Sequence, residues 1–314
     1  MATPLIVVIG SVNMDLVVGV PSIPRPGETV LGLGMKLHPG GKGANQAVAA
    51  SRLGANTHLV ARVGDDEVGQ RLVTNLEAQN VATTFVTVTE NSSTGTASIM
   101  VDQATGQNAI VVSPGANALL SPADVDRAAA LIRTASVVII QLEVPIETVV
   151  HAIALCHRHR VQVILDPAPA PSGGADAIPL ELWNVSVLTP NQTEAGRLLG
   201  IPEVAPADAE RVARELLTKG PAAVVLKLAE HGSLYADSKG ELRSAPAFKV
   251  KVKDTTAAGD AFTAALAIAR AEGKSPFDTL RFANAAGALA TTHPGAQPSL
   301  PRRADVDDII KRWG

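Results

Sequence analysis

Between His58 and Leu228 the chain alternates short β-branched runs with longer amphipathic ones, and this rhythm narrows the possible folds more than any other feature. His58–Val63, Val137–Gln141, Val161–Asp166, Val185–Thr189 and Ala222–Leu228 predict strands. Glu67–Gln79, Pro122–Thr134, Ile146–His159, Asn191–Leu199 and Pro206–Lys219 predict helices. Strict β-α order requires a mostly parallel sheet with helices on both faces and right-handed crossovers. Leu5–Ile9 is an unbroken apolar run, as a strand covered on both faces should be. It has no positive lead and no cleavage pattern, and it is too short for a membrane span, so it is expected to be the first strand. The 314 residues are 46% hydrophobic but only 3% aromatic, which suits a large core of Ala, Val, Leu and Ile in one domain, 1–314.

Several strands run directly into polar residues: Gly64-Asp65, Glu143, Asp166-Pro167, and Asn191 with Glu194. Ligands bind beyond the carboxyl ends of strands in such sheets, so these residues predict one functional edge. Asn13 and Asp15 follow the first strand in the same way, as ligand contacts or as ordinary turn formers. Four other segments do not fit the alternation: Leu16–Val20, Thr29–Met35, Thr96–Val101 and Ala109–Val112. They predict a separate small sheet, about 15–36 with 95–113, folded over the site as a lid.

Two glycine-bearing turns open into helices. In Asp254-Thr255-Thr256-Ala257-Ala258-Gly259-Asp260 small side chains leave the amides open to close approach. A helix start of this kind attracts anions. Asp260 would repel a phosphate unless it serves as a base toward a hydroxyl attacking that phosphate; the other reading is an ordinary acidic residue at a helix start. Gly40-Gly41-Lys42-Gly43-Ala44-Asn45 lacks the Walker spacing and the dinucleotide fingerprint. It either makes a tight bend or offers Lys42, Asn45 and its own backbone to sugar hydroxyls. Asn191 and Glu194 stand three apart at a helix start, which is the spacing of a capping box. A carboxylate there could also hold Mg²⁺ through water.

Other chemistries find no support. The formal charge of -3 and the lack of a basic stripe argue against a nucleic-acid partner. The lone Cys156 allows no internal disulfide and suits a reducing cytoplasm. There is no His-Glu-x-x-His pair and no repeat period, and His157 and His159 read as a solvated helix end.

The chain resembles the ribokinases, within the phosphofructokinase B type of sugar and nucleoside kinases, over essentially its whole length. The resemblance rests on Asn13-Met14-Asp15, Pro26-Gly27-Glu28-Thr29-Val30, Gly40 to Ala47, Asn191 to Glu194, Asp254 to Asp260 and Gly295-Ala296-Gln297-Pro298-Ser299. It implies a three-layer α/β/α ribokinase-like sandwich with a β-sheet lid that pairs in a homodimer. It implies ATP-dependent phosphorylation of the 5-hydroxyl of D-ribose in the cytoplasm. Asn13, Asp15, Gly41, Lys42, Asn45 and Glu143 match ribose-binding positions; Asp260 matches the base, and Ala257, Ala258, Gly259 and Asp260 the anion hole. Asn191 and Glu194 match nucleotide–Mg²⁺ positions, Lys227 and Gly232 flank the nucleotide, and Asn284 falls near the adenine. Asp254, Thr256, Ala290, His293, Gly295 and Ser299 fall on loops that bind K⁺. Ala229 departs from relatives that carry glycine, which weakens that nucleotide contact. Another furanose or nucleoside acceptor (deoxyribose, fructose, pseudouridine or adenosine), or a catalytically silent sugar-binding protein, remains the alternative.

Overall fold

A computed structural model describes residues 3–171, 173–174 and 178–313. Its strands are β1 (Leu5–Ile9), β2 (Asn13–Val20), β3 (Met35–Gly40), β4 (Asn56–Gly64), β5 (Val81–Thr89), β6 (Gly95–Asp102), β7 (Asn108–Ser113), β8 (Val137–Gln141), β9 (Gln162–Asp166), β10 (Val187–Leu188), β11 (Ala223–Lys227), β12 (Ser233–Asp237) and β13 (Leu242–Ala245). Its helices are α1 (Lys42–Arg52), α2 (Glu67–Ala78), α3 (Pro122–Arg127), α4 (Ala129–Ile132), α5 (Ile146–Arg158), α6 (Gln192–Leu199), α7 (Ala209–Leu217), α8 (Ala258–Ala271), α9 (Pro276–Ala290) and α10 (Arg303–Trp313).

The large sheet has nine strands in the order β13-β12-β11-β10-β9-β8-β1-β4-β5. It is parallel from β5 to β11, and β12 and β13 close one edge antiparallel. Residues alternate across β1: Ile6 and Val8 pack into the core shared with α1, α2, α8 and α9, while Val7 and Ile9 pack into the core shared with α3, α5, α6 and α7. That alternation makes three layers out of one sheet. Each fully buried Leu or Ile, such as Ile139 or Leu266, contributes about 1.5–3 kcal/mol of burial free energy. From β1 the chain builds outward in both directions, to β4 and β5 on one side and from β8 onward on the other. The gap between β1 and β8 is therefore a topological switch point, where such sheets place their ligands.

The second sheet has four strands, β3-β2-β6-β7. Its hairpin β6–β7 lies where the sequence predicts it, but two details differ. Asn13 and Asp15 are inside β2, paired with Gly40 and His38 of β3, and are not in a loop. The stretch 29–34 is irregular, and the strand is β3, which begins at Met35, because Gly32 and Gly34 keep that stretch from sustaining a ladder. Three further differences lie in the large sheet and its helices. β5 and the β12–β13 hairpin are additional strands. The predicted helix Pro122–Thr134 breaks at Ala128, and α8 begins at Ala258, three residues before its apolar face starts. Among the described residues no helix is long and apolar enough to cross a membrane.

Candidate active site

Two glycines bring the end of β1 against the start of α1. A Cβ on Gly43 would lie 2.6 Å from the Gly10 carbonyl carbon and the Ser11 nitrogen, so the backbones touch only because both residues lack side chains. Gly41 has φ 88, and a Cβ there would meet the Asn13 nitrogen at 2.7 Å. The turn is thus a tight bend as well as a place of close approach. Its helix receives its cap from far away: Glu143 Oε2 accepts from Lys42 N–H at 3.2 Å and from Ser11 Oγ at 2.5 Å. The other Glu143 oxygen has no hydrogen-bond partner among the described residues.

α1 delivers Lys42, Asn45 and Gln46 toward Asp260 at the start of α8. Asn45 Nδ2 donates to Asp260 Oδ2 at 3.0 Å, and Gln46 Nε2 donates to Asp260 Oδ1 at 3.0 Å. Burial pushes the Asp260 carboxyl up to about 6; Lys42 pulls it down, the charge of Asp166 adds to the rise, and the Asn45 and Gln46 bonds restrain it. Burial also lifts Asp15 to about 7, helped by Glu143 and Asp260 and opposed by Lys42. Burial disfavours the Lys42 ammonium, but Asp260, Asp166, Glu143 and Glu194 together hold its pKa above the usual lysine value. Asn13 Oδ1 accepts from Asn117 Nδ2 at 2.7 Å, which turns the Asn13 amide so that its own Nδ2 is free to donate. The sugar-binding candidates and Asp260 therefore form one cluster of donors and acceptors with a carboxylate at its base.

α8 starts without a side-chain cap. Its first flanking residue, Ala257, is in the left-handed region at φ 60, which costs an L-residue about 1–2 kcal/mol. The Ala258 N–H is engaged by the Thr255 carbonyl at 3.2 Å. The N–H groups of Ala257, Gly259 and Asp260 have no hydrogen-bond partner among the described residues. They line one end of a cleft of about 740 Å³ bounded by Lys42, Asp166, Asn191, Glu194, Lys227 and Asn284, among others.

Across that cleft α6 carries a side-chain capping box. Asn191 Oδ1 accepts from Glu194 N–H at 2.8 Å, and Glu194 accepts from Asn191 N–H at 2.7 Å and Nδ2 at 2.9 Å. The capping box is real, and its carboxylate still borders the cleft. Burial raises the Glu194 pKa, with Asp166 adding to the rise and Lys227 and Lys42 opposing it. Lys227 pairs with Asp166 at 2.9 Å. Ala229, the departure noted above, has φ 49, a conformation in which glycine would be unstrained. Gly232 sits at φ 89 against Ala245 and Ala247, where a Cβ has no room. Asn284 Nδ2 donates to the Ala245 and Pro246 carbonyls at 3.0 and 3.2 Å, so this amide shapes the far wall.

Behind the start of α8 two loops are stitched together. Asp254 Oδ1 accepts from Thr256 N–H at 2.9 Å and Oγ1 at 2.6 Å, and its Oδ2 accepts from Gly295 N–H at 2.7 Å. Burial works against the Asp254 charge, but the Thr256 and Gly295 bonds outweigh it and hold its pKa below the usual value. Ser299 Oγ donates to the Ala296 carbonyl at 2.7 Å, Ala290 ends α9 in the core, and His293 is exposed. This set offers a carboxylate, hydroxyls and backbone carbonyls, oxygen donors that fit a hard monovalent cation. Among the described residues no group of three or more His, Cys, Asp or Glu could hold a metal alone.

Residues 3–303 match the pfkB family carbohydrate kinase. The chain belongs to the pfkB family of carbohydrate kinases. It is 41% identical to the ribokinase of Bacillus subtilis over 305 residues, covering 97% of this chain and 99% of that protein. It is 36% identical to the deoxyribokinase of Salmonella typhi over 311 residues, covering 97% and 98%. Its structure is similar to that of Arabidopsis thaliana ribokinase complexed with ribose and ATP, with a TM-score of 0.87, 35% identity and 99% of each chain covered.

Sequence reasoning missed several residues of this pfkB site. Asn117, from the turn Gly115–Leu119, clamps the Val12 backbone with bonds of 2.9 and 3.1 Å as well as holding Asn13. Gln46 and Gln141 lie in the floor beneath Asp260. Only Asp166 carried a signal, an acid at the end of an apolar run.

Proposed function

We propose that this pfkB kinase transfers the γ-phosphoryl group of ATP to the 5-hydroxyl of D-ribose, giving ribose 5-phosphate and ADP. The observation that carries this reading is the buried Asp260 carboxylate, held by two amides at the foot of a helix start whose N–H groups are open. In it, Asp260 accepts the hydroxyl proton as the oxygen attacks the γ-phosphorus and the bridging P–O bond breaks toward ADP. The amides of Ala257, Gly259 and Asp260 face the charge that builds on the phosphoryl oxygens. Lys42 and Lys227 add positive charge on the same side. Asn13, Asp15, Gly41, Asn45 and Glu143 hold the sugar and fix which hydroxyl meets Asp260. Asn284 and Gly232 shape the base pocket.

Glu194, with Asn191 beside it, would hold Mg²⁺ through water. Asp254, Thr256, Ser299 and the carbonyls of Ala290, His293 and Gly295 would hold K⁺. When bound, these ions supply positive charge near the phosphates and rigidity to the start of α8. The small sheet forms the lid of a single kinase domain and excludes water from the closed site. Its apolar outer residues, Met35 at 61% exposed, Val111 at 61% and Ile110 at 53%, fit pairing with a second copy in a homodimer. The enzyme works in the cytoplasm, consistent with its single Cys156, whose buried thiol is pushed up to about 12.

The likeness to a deoxyribokinase gives a second reading, in which deoxyribose is the preferred acceptor. Turnover of ribose, deoxyribose, fructose and nucleosides with ATP–Mg²⁺, with and without K⁺, separates the two. Ribose preferred, with turnover rising in K⁺, supports the proposal. Deoxyribose or a nucleoside preferred would keep the phosphoryl-transfer chemistry and overturn the substrate. In the same assay Lys42→Ala should raise KM for the sugar, and an unchanged sugar KM would remove Lys42 from the pocket.

A further inference from the structure

Beneath the floor of the cleft one chain of buried side chains joins the two ends of the site. Gln46 and Gln141 are both 0% exposed, and Asp166 is 2% exposed. Gln46 Nε2 donates to Asp260 Oδ1 at 3.0 Å and to Asp166 Oδ2 at 2.8 Å, so both of its hydrogens are spoken for. Its Oε1 accepts from Gln141 Nε2 at 2.6 Å. That third bond fixes the amide: turned over, it would set an oxygen against two carboxylates and a donor against a donor. Asp166 carries the chain onward. Its Oδ1 accepts from Lys227 Nζ at 2.9 Å, and Thr263 Oγ1 of α8 reaches its Oδ2 at 3.5 Å. Lys227 Nζ in turn stands beside the open amides, since a Cβ built on Gly259 would lie 3.8 Å from it.

We propose that Gln46 is a positioning residue for phosphoryl transfer: it holds the Asp260 carboxylate in one plane opposite Asn45 and ties it to the Asp166–Lys227 pair. The proton acceptor and the ammonium beside the phosphate site are then set by a single hydrogen-bonded chain. This rests on the reading of Asp260 as the base. No other kind of neutral side chain but an amide offers two donors and an acceptor at once, and a neutral link is what two buried acids need between them. The charged and titratable groups facing Asp260 are Lys42 on α1, Asp166 at the end of β9 and Asp15 on β2; Lys227 and Glu194 act on Asp166 from the far side. Losing the Gln46 bond removes a partner of the ionised form of Asp260 and leaves the Asp166 charge unscreened, and both changes make Asp260 harder to ionise.

The test compares wild type, Gln46→Met, Gln141→Met and Asp260→Asn. It follows kcat and kcat/KM for ribose from about pH 5 to 9, the acid limb being read from kcat/KM, which reports the free enzyme, together with KM for ATP and Tm. Wild type should lose activity on the acid side near pH 6, where Asp260 protonates. In Gln46→Met that acid limb should move up by about one pH unit, and kcat should fall roughly 10-fold or more, with KM for ATP nearly unchanged. Gln141→Met touches neither carboxylate and should shift the limb the same way by less, because it frees the Gln46 amide to turn. If Gln46→Met does not fold, Gln141→Met decides the matter. Acid limbs that stay at the wild-type position while only Tm drops would reduce Gln46 to a packing residue and overturn the inference. Full turnover in Asp260→Asn would instead remove the base assignment, and the inference with it; an inactive Asp260→Asn with unmoved limbs in the glutamine variants overturns the inference alone.

Discussion

Two helices point their N-termini into the same cleft and meet the problem of unpaired amides in opposite ways. α6 has a side-chain cap made by its own residues, Asn191 and Glu194 exchanging bonds in a capping box. α8 has a methyl-bearing residue at its N-cap, in a left-handed conformation, and no side-chain cap at all. The first arrangement stabilises the fold and presents a carboxylate. The second gives up about 1 kcal/mol of capping free energy and leaves donors free for a ligand. α1 lies between these extremes, since its Lys42 N–H is capped by Glu143 from another part of the chain. The anion site proposed at α8 is a helix start that carries no side-chain cap.

The contrast can be broken most severely at α8. Ala257→Asp puts a negative charge where phosphate should sit, at a left-handed position that Asp tolerates. Turnover should fall by about 10²–10³ while Tm holds or rises, read from kcat/KM for ATP and thermal melts. A variant with near-normal turnover would show that the open amides are not used. The converse change at α6, Asn191→Ala, removes a cap that the fold does use. It should cost about 1 kcal/mol of stability, seen as a lower midpoint in urea. A comparable loss of stability in Ala257→Asp would erase the difference between the two helices. The smallest effect is expected at Ala229, the second left-handed alanine at the cleft. Ala229→Gly relieves its conformation and should stabilise by less than about 1 kcal/mol, since glycine also frees the unfolded chain. A loss of stability there would mean that the methyl packs usefully.

Much of the fold was legible because burial on two faces forces continuous apolar strands, as in Leu5–Ile9 and Val137–Gln141, and these were placed to within a residue or two. What stayed hidden had weaker local marks. β5 is an edge strand that mixes apolar residues with threonines without a regular alternation, as in Val81-Ala82-Thr83-Thr84-Phe85, and only Val81 in it is fully buried. β12 and β13 are four or five residues long and are held by antiparallel pairing around Ser238-Lys239-Gly240. Nothing in the residues near Ala128 announces the break between α3 and α4. Asp260, Lys42 and Asn45 were legible because small residues around them mark close backbone approach. Gln46, Gln141 and Asn117 were not, because each gains its role from a partner about a hundred or more positions away, such as Asp260 for Gln46. An amide in a helix or strand carries no sign of what it will face.

The measurement that bears most directly on the whole reading is the rate of ribose-dependent ADP formation by Asp260→Asn, set beside its affinity for ATP. With Asp260 as the base, kcat should drop by roughly 10²–10⁴ while ATP binding and the melting curve stay close to wild type. Turnover at the wild-type rate would mean that the proton leaves by another route and that the buried carboxylate at the start of α8 serves only the structure.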